Sequence, residues 1–362
     1  KLNVSIQAIS VLIILNFGLQ MAVDIIGAKY IDRIGHRLCM ILAHVFTVLG
    51  LVSISVLPAI LPSPFLGLCI ATVLNGIGGG LLEVLVSPIV EAVPGKEKEK
   101  AMSLLHSFYC WGCVGFISVS TLLLRVFGTR HWYLLPLIWT ILPLINIVVF
   151  ANVPILKLVE EGEQLPVHKL VKLRAFPFLI LLMLCAGASE MGMSQWASYF
   201  AEMGLKVDKT MGDLLGPCFF CILMGIVRTC FGKSEGRMNL HRFIKLSCIL
   251  CIVSYLIAVF APHPVLGLMG CGLCGLSIAI FWPGTFSIAA KTCKAGGTAM
   301  FALLALAGDV GCASGPQLVS IVSKIFPQYG LKAGLLCAII FPITLFISLF
   351  CLERINKTNE AK

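Results

Sequence analysis

This sequence has little charge. Only 12% of its 362 residues are Asp, Glu, Lys or Arg, and 59% are hydrophobic. A soluble domain has about 25% charged and about 45–50% apolar residues, so a soluble globular chain is excluded. Catalytic patterns are missing too. No His-Glu-x-x-His or Walker loop occurs, and the seven histidines are scattered. The patterns for metal-assisted hydrolysis and nucleotide-driven chemistry are therefore lacking. The reading is a non-enzymatic protein with no cofactor and no metal. The N-terminus carries no signal-peptide pattern.

What is abundant is long apolar runs. A hydrocarbon core of about 30 Å needs about 20 apolar residues per helix. Runs of that length fall at 5–27, 38–59, 65–90, 102–124, 132–152, 175–200, 209–232, 240–260, 264–290, 295–322 and 332–352. These eleven spans predict an all-α membrane protein.

The net charge of +10 does not point to nucleic acid, because the basic residues lie in short loops. Alternate loops are rich in them: Lys29, Arg33 and Arg37; Lys96, Lys98 and Lys100; Lys157, Lys169, Lys172 and Arg174; Arg228, Lys233, Arg237, Arg242 and Lys245; Lys291 and Lys294; and Arg354, Lys357 and Lys362. The intervening loops hold few, so the rich set is expected on the cytoplasmic side, with the C-terminus among it. Five spans precede the polar stretch 153–174 and six follow it. The expected organisation is an N-terminal bundle at 1–152, a cytoplasmic linker at 153–174 and a C-terminal bundle at 175–355. A six-plus-six plan implies that one further helix precedes this sequence.

The halves also repeat. "GAKYIDRIGHR" at 27–37 is answered by "GKSEGRMNLHR" at 232–242, with Gly27, His36 and Arg37 recurring as Gly232, His241 and Arg242. Parallel six-helix repeats place a solute site between the halves, near mid-membrane. Residues Ala28 to Arg37 resemble the signature loop Gly-x-x-x-Asp-Arg-x-Gly-Arg-Arg of the major facilitator superfamily. Asp32, Arg33, Gly35 and Arg37 match, while Ala28 replaces the first glycine. The resemblance implies two six-helix bundles related by pseudo-two-fold symmetry, with Asp32, Arg33, Gly35 and Arg37 acting as a conformational latch.

A narrower resemblance covers "GGGLLEVLVSPIVEAV" and "AMSLLHSFYCWGCVGF", which are similar to helices 4 and 5 of the L-fucose permease type of sugar/proton symporter. Glu83 and Pro88 match, Ser87 stands where Asn is common, and His106 falls at a polar position of the next helix. It implies proton coupling through Glu83 and His106. The residues support part of this independently. Asn75, Gly79, Glu83 and Ser87 recur every fourth position, forming a small and polar stripe that should face the protein interior. A mid-membrane acid is costly and therefore a functional candidate.

The second half has its own acids. Glu190 in "CAGASEMGMSQWASYF" and Asp309 in "ALAGDVGCASGP" both sit near mid-span. No Lys or Arg is expected at that depth to neutralise either. With Asn75, Ser87 and Gln195 they are the expected solute-binding groups, and Trp196 and Trp282 the expected aromatic faces for a sugar ring. Sixteen cysteines include four Cys-x-x-Cys pairs, but all four lie inside apolar spans, where a thiol behaves as a small hydrophobe. The expected activity is secondary transport of a small polar solute, with proton-coupled sugar uptake favoured. A drug or metabolite exporter of the same fold and a non-transporting solute sensor are the alternatives. The expected partners are solute, protons and the bilayer of the plasma membrane, with the chain a monomer.

Overall fold

In a computed structural model the described residues are 6–156, 158–159, 164–234 and 239–360, so Lys157, Arg237 and Lys362 of the basic loops lie outside them. Described residues form helices and turns, and eleven helical segments among them are long and apolar enough to span a membrane. We label these α1 (Ile6–Ile34), α2 (His36–Ile60), α3 (Pro64–Ala92), α4 (Lys98–Phe127), α5 (Leu134–Asn152), α6 (Phe176–Met203), α7 (Lys209–Lys233), α8 (Leu240–Phe260), α9 (Pro264–Thr292), α10 (Gly297–Ile325) and α11 (Leu331–Asn356). The count is the expected one. The first span differs at its end: α1 continues through the signature residues to Ile34, and the expected loop shrinks to Gly35. Gly35 has φ of 98°, a left-handed backbone that only glycine adopts without strain.

Four spans are interrupted. α5 breaks at Thr140, α6 at Gln195–Trp196, α9 at Ala279–Ile280 and α11 at Ile339. The α9 break has a local cause. Pro283 has no N–H to give to Ala279, four residues back, so that carbonyl is left for another donor.

The chain divides into two compact units that do not follow chain order. One comprises Lys1–Val93, Val119–Val167 and Ala295–Leu306; the other comprises Pro94–Ser118, His168–Lys294 and Ala307–Lys362. The expected linker boundary at 153–174 is thus only one of several crossings. The first turns of α10 belong with α1, α2, α3 and α5, and most of α4 belongs with α6, α7, α8, α9 and α11.

In the first unit, glycines on α3 admit its neighbours. A Cβ on Gly80 would sit 2.9 Å from Val23 of α1, and one on Gly78 would sit 2.6 Å from Thr47 of α2. Ala28, Ile31, Met40, Val84, Leu85 and Ala302 form a buried cluster beside these contacts. In the second unit, Gly311 and Gly315 of α10 press against α6, where Cβ atoms would fall 2.0 Å from the Leu184 carbonyl oxygen and 2.4 Å from that of Ala188. Small residues four apart allow backbones to approach without a hydrophobic drive between helices. Gly311→Ala is therefore expected to lower stability by about 1–3 kcal/mol, because backbone must move. Gly112→Ala, with nothing within 4 Å, should be neutral or stabilising by up to about 1 kcal/mol. Thermal unfolding of the purified variants checks the contrast; equal behaviour would remove the packing argument.

Candidate functional site

The second unit contains an arginine that the sequence reading left in a loop. Arg228 lies in α7 and is 2% exposed. Its Nε donates to the Ala279 carbonyl at 2.8 Å, the one freed by Pro283. One terminal nitrogen donates to the His106 carbonyl at 3.0 Å and to Cys110 Sγ at 3.3 Å. The other lies 3.8 Å from Glu190 Oε2. Ser103 in turn donates to the Arg228 carbonyl at 2.8 Å. One guanidinium thus ties α4, α6, α7 and α9 together.

This corrects the expectation that no cation neutralises Glu190. Counting basic residues near span ends treats each as a loop or snorkelling group. Arg228 turns inward because the neighbouring backbone is close and offers acceptors. Gly225 and Gly232 on α7 are faced by Cys110, Trp111 and Leu104 of α4 at 3.1–3.2 Å from a would-be Cβ. Trp111 Nε1 also donates to Thr229 of α7 at 3.0 Å.

A chain of ring contacts leads from His106 to other expected site residues. The His106 ring stacks on Phe286 of α9 at 5.7 Å between centroids, and Phe286 meets Trp282 edge-on at 6.3 Å. Trp282 lies over Gly308 of α10, where a Cβ would come 2.2 Å from the indole. The next residue, Asp309, is buried at 4% exposure, and its Oδ2 has no hydrogen-bond partner among the described residues. Neither Asp309 nor Glu190, whose side chain is 14% exposed, is turned out towards lipid. Gln195 is exposed at the α6 break. Trp196 caps the second half of α6, with its buried Nε1 unpaired among the described residues.

The first unit holds the α3 stripe. Asn75 packs over Gly50 of α2, where a Cβ would fall 2.5 Å from its amide carbon. Glu83 is half-buried and Ser87 is buried. The expected partners Glu83 and His106 belong to different units.

Asp24 is a residue that sequence reasoning missed. It is fully buried in α1. The signal was present: Asn16, Gln20 and Asp24 are spaced four apart, a polar stripe on one face, and Asn16 Nδ2 donates to Gln20 Oε1 at 3.1 Å. Gly79 faces Gln20, and the Val23–Gly27 segment of α1 runs beside Gly80–Val84 of α3. Asp24 and Glu83 therefore occupy matching levels of two parallel, adjacent helices.

At the α1–α2 junction, Asp32 lies 3.6 Å from His36 Nε2, which also contacts Thr298 Oγ1 of α10 at 2.8 Å. Arg37 donates to the carbonyls of Ala151 and Val153, at 2.6 and 3.0 Å. A cation at these last carbonyls of α5 complements that helix end. Arg33 is exposed in the last turn of α1.

A multi-span, all-helical chain with buried acids, one compensated by arginine, is built as a membrane carrier. Residues 1–316 match the Major Facilitator Superfamily, and the chain belongs to that family. Among solved structures it is similar to the E. coli fucose:proton symporter, at 15% identity and a TM-score of 0.78, covering 96% of this chain and 91% of that one. It is also similar to the proton:xylose symporter, at 12% and 0.79, covering 96% and 87%. The human organic anion transporter is similar at 14% and 0.69, covering 92% and 82%. These proteins are transporters rather than enzymes, and at such identities they establish the all-α major facilitator fold. No curated protein sequence matches the chain.

Proposed function

We propose that the protein is a secondary transporter that moves a small polar solute by alternating access, with proton-coupled sugar uptake as the specific activity. The observation that carries the coupling is Glu83 on the small-residue face of α3, level with buried Asp24 on α1. A carboxyl out of water holds a proton that it releases when solvated, and a ligand shifts a conformational equilibrium only through differential affinity for its states. Glu83 is the coupling acid in this reading. Asn75, Ser87, Glu190, Gln195 and Asp309 serve the solute, with Trp196 and Trp282 as ring faces. His106 contributes its carbonyl to Arg228 and its ring to the aromatic chain that ends on Trp282.

In this reading the spans before and after 153–174 form two bundles that rock to open the solute site to each side in turn. The latch is Asp32, Arg33, Gly35 and Arg37, to which the His36 contact with Thr298 adds. The protein works as a plasma-membrane monomer with its C-terminus in the cytoplasm.

The test is proteoliposomes bearing the full-length protein, with external pH recorded as fucose, xylose and other sugars are added. Symport is expected to raise external pH on sugar addition, with sugar accumulated inside. Sugar binding without flux would make the protein a sensor. Flux that runs outward against the gradient would make it an exporter.

A further inference from the structure

A pocket of about 1050 Å³ opens in the second unit where the ends of α6, α8, α9 and α11 converge. Five lysine and arginine side chains line it, against one carboxylate, Glu353. That carboxylate is already engaged: Lys245 Nζ lies 2.5 Å from one oxygen and His241 Nδ1 lies 3.1 Å from the other. Lys291 is paired at 2.5 Å with Glu99. Lys172, Arg174 and Arg242 have no ion-pair partner among the described residues.

The surplus of cations at this end follows from the loop bias described above. Their convergence on one concavity does not, since a topological signal needs charge only somewhere in the loops. A cleft lined by one sign of charge focuses the field and concentrates counter-ions. The starts of α6 and α8, at Ala175 and Asn239, also line the pocket and add their positive helix ends to the same field. Two guanidinium forks and a lysine suit the tetrahedral, multiply charged oxygens of a phosphate better than a single carboxylate. The volume exceeds that of bare phosphate and lies just above the usual range of about 300–1,000 Å³ for small-molecule sites.

We propose that this pocket binds a phosphate-bearing organic anion through Lys172, Arg174 and Arg242. It is a site separate from the buried acids and independent of the solute transported. The same chemistry is offered by an acidic phospholipid headgroup and by a free phosphate ester, which the test separates.

The full-length protein in phosphatidylcholine nanodiscs is titrated with inorganic pyrophosphate at constant ionic strength. In parallel it is placed in nanodiscs containing phosphatidylglycerol. The thermal unfolding midpoint is read in both. The midpoint should rise with one probe or both. Lys172→Gln/Arg174→Gln/Arg242→Gln should keep the ligand-free midpoint, because these side chains are exposed, and bind the effective probe about tenfold or more weakly. A rise with pyrophosphate alone assigns a free anion. A rise with phosphatidylglycerol, together with loss of the pyrophosphate effect, assigns a headgroup. No rise with either, or an equal rise in the triple variant, overturns the proposal. Should the triple variant be unstable, Arg174→Lys/Arg242→Lys retains charge but loses the forks. It is expected to weaken binding by a smaller factor, and unchanged binding would overturn the fork assignment.

Discussion

Replacing Arg228 by Gln should destabilise the purified protein by about 3–5 kcal/mol, the usual cost of removing one partner of a buried ion pair. The change leaves Glu190 without its cation. It also removes the donors that serve the Ala279 and His106 carbonyls, and one amide cannot replace three separate contacts. Glu190→Gln should cost less, since the arginine keeps its two carbonyl bonds. In the double variant Glu190→Gln/Arg228→Gln the charge penalty disappears, so the loss should be smaller than the sum of the singles. Thermal or denaturant unfolding of all four proteins forms the cycle. Strict additivity would mean that the 3.8 Å pair contributes no coupling and that Arg228 acts only through its carbonyl bonds.

Under the proposed proton symport, Glu83→Gln should abolish pH-driven accumulation while sparing solute exchange. Glutamine keeps the size and much of the hydrogen bonding but fixes a neutral state, so both orientations carry the same charge. A one-unit pH difference stores about 1.4 kcal/mol per proton, which supports about tenfold accumulation for one proton per solute. The variant is expected to stop at a ratio of about one, while labelled solute still exchanges across the membrane. Accumulation equal to wild type would move the coupling role to Asp24, Glu190 or Asp309. Asp24 would come first, because it lies level with Glu83 in the same unit.

The sequence determined the class of this protein by itself. Apolar runs of bilayer length leave a chain few options beyond helices, because backbone groups in hydrocarbon must pair within their own segment. That constraint made eleven spans legible from the length and placing of apolar runs. The Asp-Arg-x-Gly pattern at 32–35 contains the α1–α2 turn, where Gly35 takes φ of 98°, but the expected loop was longer than that one residue. Periodicity put Glu83 on a small-residue face, and the same i, i+4 rule would have found Asp24.

Only the tertiary structure decided where Arg228 points. A basic residue near a span end has two outcomes, outward to the interface or inward to acceptors, and its own sequence neighbourhood is the same in both. The choice was made by groups far along the chain: a carbonyl at Ala279 freed by Pro283, a carbonyl at His106, and the Glu190 carboxylate. Likewise, Trp282 packs on Gly308, and Lys172, Arg174 and Arg242 line one pocket, although their segments are distant in sequence. Hydropathy reports how one residue partitions between water and lipid. It carries no information about which partners a folded neighbour will supply.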